Sequence, residues 1–164
     1  MKLISLTKGR YAIVDDEDYE WLNQWKWQCD SKGYARGRIN GIPQKMHRLI
    51  NQTPTAMQTD HINGNKLDNR KENLRSCNQM ESMRNRAKWA NTTSRYKGVS
   101  LYREAKKWTA YIRVNKKKIH IGLFENEHYA ALAYDLWATD IFGEFARLNF
   151  PKFRASETFK QAIK

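Results

Sequence analysis

Three strand-like runs followed by one helical run fill residues 96–142, and that order leaves few ways to fold. Tyr96 to Tyr102, Lys107 to Val114 and Lys118 to Phe124 read as strands with polar turns between them. In the middle run, Trp108, Ala110 and Ile112 share one face, while Thr109, Tyr111 and Arg113 share the other. The same alternation turns Ile119 and Ile121 inward and Lys118 and His120 outward. Asn126 is placed to cap a helix that reaches about Phe142, with Gly143 closing it. Ala130, Ala133, Tyr134, Trp137 and Ile141 fall on one face of that helix and should pack on the inward set.

The first fifty residues read as short strands around one short helix. Asp15-Asp16 supplies N-cap candidates before Glu17-Asp18-Tyr19-Glu20-Trp21. Trp25 to Cys29 and Tyr34 to Ile39 read as strands. Asn40-Gly41 marks a tight hairpin, and a third short strand leads into Met46-His47-Arg48-Leu49-Ile50. With 164 residues, the chain has room for one domain or two small ones. Residues 87–95 are polar and aperiodic and read as a basic linker, and the last ten residues are expected to fray.

Charge narrows the partner. The formal net charge is +13, and Arg84 to Lys118 holds twelve Lys or Arg against the single acidic Glu104. Aromatic residues interleave with these charges, as expected of a surface for a polyanion, with nucleic acid first. No apolar run approaches the length of a membrane span, and the N-terminus is too polar for a signal peptide. Cys29 and Cys77 stand far apart without a CxxC pair, so no structural zinc is expected and a reducing cytoplasm fits both thiols.

The segment Met57 to Asn85 carries candidate chemistry. Asp60-His61 is followed twelve residues later by Asn73, across an Asn-rich loop. A carboxylate such as Asp60 suits a hard cation such as Mg2+, and a neutral imidazole such as His61 suits proton abstraction from water. Asn73 would hold the loop by bonding its backbone. As a bare dipeptide, Asp-His also occurs in ordinary turns.

The longer pattern is more specific. His47-Arg48-Leu49-Ile50, Asp60-His61-Ile62-Asn63-Gly64-Asn65-Lys66-Leu67-Asp68-Asn69-Arg70 and Glu72-Asn73-Leu74-Arg75 together resemble the HNH endonucleases of phages and group I introns. That resemblance implies a ββα-metal module with one Mg2+ or Mn2+, Asp60 as ligand, His61 as general base and Asn73 as the loop-fixing residue. His47 matches a recurrent family histidine, with packing or a hydrogen bond as open as chemistry. The chain departs from the family at the third motif position, nine residues after Asn73, where Ser82 replaces the usual Asn or His. Ser82 acting through water, Asn78, or Asn85 about one turn further on are the alternative ligands. The remaining alternative is a chain that binds DNA with weakened or lost catalysis.

Tyr96-Lys97-Gly98-Val99, Lys107 to Val114, Ile119 to Phe124, Ala130 to Ala138 and the closing Gly143 to Pro151 resemble an APETALA2-type (ethylene-response-factor) domain. The resemblance implies a three-stranded antiparallel sheet packed on one helix, with the sheet in the major groove of double-stranded DNA. Lys97, Ser100, Tyr102, Arg103, Tyr111, Arg113, Lys118 and His120 are then the candidate DNA contacts. Arg113 suits two bonds to guanine, worth about 1–3 kcal/mol of discrimination; Lys97, Lys116, Lys117 and Lys118 suit phosphate. Ser100 and Tyr111 stand where the plant proteins are usually charged, so their target sequence does not carry over.

The expected architecture is therefore α+β in two modules. Residues 1–86 form a nuclease module with a strand-rich extension, 87–95 a linker, 96–150 a DNA-binding module and 151–164 a tail. The expected protein is a monomeric DNA endonuclease of the homing type, acting in the cytoplasm of a phage-infected or bacterial cell.

Overall fold

The computed structural model describes residues 1–88 and 90–151, so most of the expected tail and one residue of the expected linker lie outside the described residues. The chain is mixed α+β, its paired strands are antiparallel, and it divides into two units, Met1–Met83 and Arg84–Lys164. Among the described residues no helix is long and apolar enough to cross a membrane.

The first unit begins with a hairpin of β1 (Lys2–Ser5) and β2 (Tyr11–Val14), followed by α1 (Asp16–Leu22). Asp15 precedes α1, yet its side chain does not cap that helix. Its Oδ2 instead accepts the Lys71 backbone N–H at 2.8 Å. A second sheet holds β3 (Trp27–Cys29), β4 (Ala35–Ile39) and β5 (Ile42–Lys45) in that order. Asn40 and Gly41 take φ of 50° and 79°, the double left-handed turn that suits the twist of a two-residue hairpin. α2 (Met46–Ile50) follows directly, then the hairpin of β6 (Gln58–His61) and β7 (Leu74–Cys77), and α3 (Gln79–Arg84).

The core of this unit gathers Ile4, Ala12, Val14, Leu22, Trp27, Ala35, Met46 and Leu74. The Trp27 indole N–H reaches the Leu22 carbonyl at 2.8 Å, so the largest core side chain leaves no polar atom stranded. β2 also grips the Asn-rich loop. The Ile13 N–H donates to the Leu67 carbonyl and the Asn69 N–H to the Ile13 carbonyl, both at 2.8 Å. A loop of polar residues is thereby tied to the edge of an apolar hairpin.

In the second unit, β8 (Val99–Tyr102), β9 (Lys107–Val114) and β10 (Lys117–Phe124) form a sheet of order β10-β9-β8 that packs on α4 (Glu127–Phe142). Asn126 caps α4 by accepting the His128 N–H. The buried face of α4 is Ala130, Ala131, Ala133, Tyr134, Ala138 and Phe142, whereas Ile141 is exposed. Small alanines let the helix approach the sheet closely, which a face centred on Ile141 would not. Asp135, buried, accepts the Asn149 and Phe150 backbone N–H groups and pins the closing segment to the helix. Burial pushes its carboxyl pKa up, and those bonds to the charged form oppose the rise.

Residues just before β8 also contribute to this unit. Ser94 is buried and its hydroxyl donates to Glu127, which also accepts the Arg95 N–H. β8 starts at Val99 rather than Tyr96, because Gly98 takes φ +75° with its Cα facing the buried Tyr134 ring.

Candidate active site and nucleic-acid interface

The Asp-His pair ends β6, and its cross-strand partners on β7 set its surroundings. Asp60 faces Arg75 and His61 faces Leu74 in the β6–β7 register. Asp60 Oδ2 accepts from Arg75 Nε at 3.1 Å and Nη2 at 2.9 Å, in a pair whose side chains are only 12% and 10% exposed. A carboxylate this well covered needs its partner, and the guanidinium is held beside it by sheet register.

His61 is buried, and its Nε2 lies 3.2 Å from Asn69 Oδ1. An amide oxygen only accepts, so Nε2 carries the proton and Nδ1 is the basic nitrogen. Burial holds the His61 pKa below its ordinary value, with the Asn69 bond and the Asp60 charge pulling the other way. The imidazole is therefore neutral near pH 7. Asn69 is itself fully buried and donates to Met46 Sδ and the Leu67 carbonyl.

Asn73 braces the loop. Its Oδ1 accepts the Asn63 N–H at 2.9 Å and its Nδ2 donates to the Asp68 carbonyl at 2.7 Å. Asp68, also buried, takes the Arg70 Nε and Nη2 and the Asn63 amide, and the Arg70 bond holds its carboxyl below the usual range.

His47 lies on α2 with its ring 5.1 Å from His61 and 4.9 Å from Tyr34, centroid to centroid. Its Nδ1 is buried and finds no hydrogen-bond partner among the described residues. Burial lowers its pKa to about 3, so it packs as a neutral ring. Below pH 6.5 the unfolded chain binds a proton at this position that the folded chain refuses, so stability falls as pH drops from 6.5 toward 3. Denaturant titrations at pH 5.0, 5.5, 6.0 and 6.5 should show His47→Phe losing up to about 1.4 kcal/mol less per pH unit than the parent. Parallel slopes for the two proteins would refute the buried neutral ring.

Ser82 sits within α3. The helix is started by Asn78 and Glu81, which exchange bonds: the Asn78 N–H donates to Glu81 Oε2 and the Glu81 N–H to Asn78 Oδ1. Asn78 is thus engaged as a cap. Burial pushes the Cys77 thiol pKa up, and the Ser82 hydroxyl opposes the rise. Asn85 is buried immediately after α3. Among the described residues, no group of three or more His, Cys, Asp or Glu is arranged to hold a metal ion.

In the second unit, cross-strand pairing puts Arg113 opposite Lys118, Tyr111 opposite His120, and Ser100 opposite Thr109. These rows share the face opposite to buried Val99, Ala110 and Ile112. Lys118 Nζ stands 4.0 Å from the Tyr111 ring centroid, a cation held over an aromatic face. Tyr102 is exposed at the end of β8 and donates to Glu104, and Arg103 is exposed in the following turn. Lys97 differs from the expectation of a phosphate contact. Its ammonium donates to the Arg84 and Arg86 carbonyls, and burial lowers its pKa to about 8. Ile119, expected inward, pairs with Ile112 yet is 36% exposed.

Asn69, Arg75 and Asp68 are the site residues that sequence reasoning passes over. Asn69 and Asp68 read as loop polar residues, and only the grip of β2 on the loop reveals their burial. Arg75 becomes visible once the β6–β7 register is fixed.

With this geometry in hand, kinship can be weighed. An uncharacterized HNH endonuclease of Acanthamoeba polyphaga mimivirus is 31% identical over 153 residues, 90% of this chain and 79% of the relative. The chain belongs to the HNH endonuclease family. Plant transcription factors match it over shorter stretches. An AP2-like ethylene-responsive transcription factor of Arabidopsis thaliana is 36% identical over 69 residues, 42% of this chain. An ethylene-responsive transcription factor of the same plant is 40% identical over 58 residues, 34% of this chain. The matched segments make up only 14% and 32% of those two plant proteins. No protein-family model matches the chain.

Proposed function

We propose that this HNH-family chain is a metal-dependent endonuclease that hydrolyses phosphodiester bonds in double-stranded DNA, with the second unit holding it on the duplex. The observation that carries the reading is the neutral, buried His61, oriented by Asn69 and adjacent to Asp60 at the end of β6.

Asp60 would hold Mg2+ or Mn2+, with the Ser82 hydroxyl as a neutral oxygen donor acting through water. One carboxylate suffices for a cation that keeps most of its waters and takes other ligands from a phosphate. When bound, such an ion stabilises charge that develops on the phosphate and the leaving oxygen. His61 takes the proton of the attacking water at Nδ1 as the new P–O bond forms and the old one breaks. Asn69 keeps the imidazole in the tautomer that allows this. Asn73 keeps the loop from sagging away, and Arg75 keeps a fixed positive charge beside Asp60. In the second unit, Arg113 reads guanine, Lys118 and the nearby lysines meet phosphate, and the outer face of the sheet lies in the major groove. The enzyme acts in the cytoplasm, as a monomer, in the manner of a phage or intron homing endonuclease.

A second reading has one observation in its favour: position 82 carries a hydroxyl, which is a poor ligand, where the family usually carries Asn or His. On that reading the chain is a DNA-binding regulator with weakened catalysis. Nicking of supercoiled plasmid in Mg2+ or Mn2+ separates the two. We expect parental cleavage, and a several-fold faster rate with tighter Mn2+ binding in Ser82→Asn. No cleavage by the parent, with cleavage appearing in Ser82→Asn, would favour the regulator.

A further inference from the structure

The outer face of the second unit's sheet changes character along its length. At one end stand Arg113 and Lys118, and in the middle Tyr111 and His120. Further along, the row Ser100, Thr109 and Leu123 carries no charge, and beyond it Tyr102 stands opposite Lys107, whose ammonium pairs with Glu125. Leu123 is 44% exposed.

Leu123 reaches that face through an irregularity. The register shifts between His120 and Gly122, so that Tyr111 pairs with His120 while its neighbour Ala110 pairs with Gly122. Ile121 is the extra residue of a β-bulge. Strict alternation from His120 would turn Leu123 inward. The bulge turns it outward, opposite Thr109, and leaves Ile121 to pack against the helix side of the sheet. Bulges are devices that re-aim a side chain. Here the result is an exposed leucine on a face that is otherwise polar and basic.

We propose that Leu123 and the Thr109 methyl form a contact for the C5-methyl group of thymine, so that this module reads a T·A pair as well as a guanine. The inference rests on the reading that the outer face docks in the major groove. The occupant is duplex DNA because cations flank the patch: Arg113 and Lys118 along the same strands, and Lys116 in the turn that joins them. In the major groove, thymine alone among the four bases presents a methyl group, and apolar side chains are what meet it. Ser100, beside Thr109, adds a hydroxyl that serves either a donor or an acceptor on the neighbouring base edge. Thr109 and Arg113 lie four residues apart on β9, about 14 Å at strand rise. The thymine and the guanine should therefore lie within about four base steps of each other, at about 3.4 Å per step.

The test uses the full-length protein and duplexes that it recovers from a randomised library. The recovered sites should share a fixed thymine within about four steps of a fixed guanine. Replacing that thymine by deoxyuridine removes one methyl group and nothing else, and should weaken binding about fourfold. Leu123→Ser, a change at an exposed position, should shrink that penalty to less than twofold, and Leu123→Met should keep it. Equal affinity of the parent for the thymine and uracil duplexes, or no fixed thymine, would overturn the inference. If Arg113→Ala still erased the guanine preference in that case, sheet docking itself would stand. If Arg113→Ala and Lys118→Ala both left binding unchanged, docking through this face would fall, and the inference with it.

Discussion

His61→Ala is expected to slow DNA cleavage by about 10²- to 10⁴-fold, the range associated with loss of a positioned general base. Binding of the same DNA should change by less than about twofold, because the second unit makes the proposed contacts that hold the duplex. Single-turnover nicking with saturating enzyme measures the first quantity, and a gel-shift titration in Ca2+ the second. Cleavage within about threefold of the parent would remove His61 from the chemistry. The pH profile adds a readout that mere packing would not move. The rate should rise with pH as His61 loses its proton, with the midpoint of the rise below pH 6.5, because burial holds its pKa below the ordinary value. The Asn69 bond favours the protonated ring, so Asn69→Ala should shift the acid limb to still lower pH. It should also lower the plateau, since the tautomer is no longer fixed. An Asn69→Ala profile that overlays the parent would show that Asn69 does not orient the base.

Gly98→Ala should be the most damaging single-methyl change in the second unit. An added Cβ would lie 1.9 Å from Tyr134 Cδ2 and 2.4 Å from Cε2, where no atom fits. The ring is buried between the sheet and the alanines of α4, so it has nowhere to retreat without opening the core. Overpacking together with a left-handed φ of +75° should cost roughly 3–5 kcal/mol. Hydrogen exchange should show the loss locally. Amides of β9 and α4 would exchange faster, while those of β6 and β7 in the first unit would not. Sequence-specific DNA binding should weaken in parallel. Undiminished protection in α4 would mean that the Gly98–Tyr134 contact is not tight.

The regular parts of this fold are legible in the sequence where a local signal stands alone. β9 begins and ends where its alternation does, the Asn40-Gly41 hairpin turns where its dipeptide demands, and α4 starts at the Asn126 cap. What escapes notice depends on register or on the other side of a contact. The extra residue at Ile121 has no signature, so the facing of Leu123 cannot be read from the chain. Lys97 belongs to a basic run and reads as surface, yet two backbone carbonyls claim its ammonium. Ile141 has the hydropathy of a core residue, but the helix approaches the sheet through alanines that hydropathy undervalues. Asn69 and Arg75 take on their significance from atoms supplied by distant segments.

The reciprocal bonds between Asn78 and Glu81 have a bearing on how such a protein changes over time. They start α3 without help from position 82, whose backbone N–H simply donates to the Asn78 carbonyl as any residue's would. One codon there can be rewritten while the start of the helix stays as it is. On the proposed function, cutting and binding would then be separately heritable in this chain. A lineage would then pass from one to the other, and back, by changing a position on which the start of the helix does not depend.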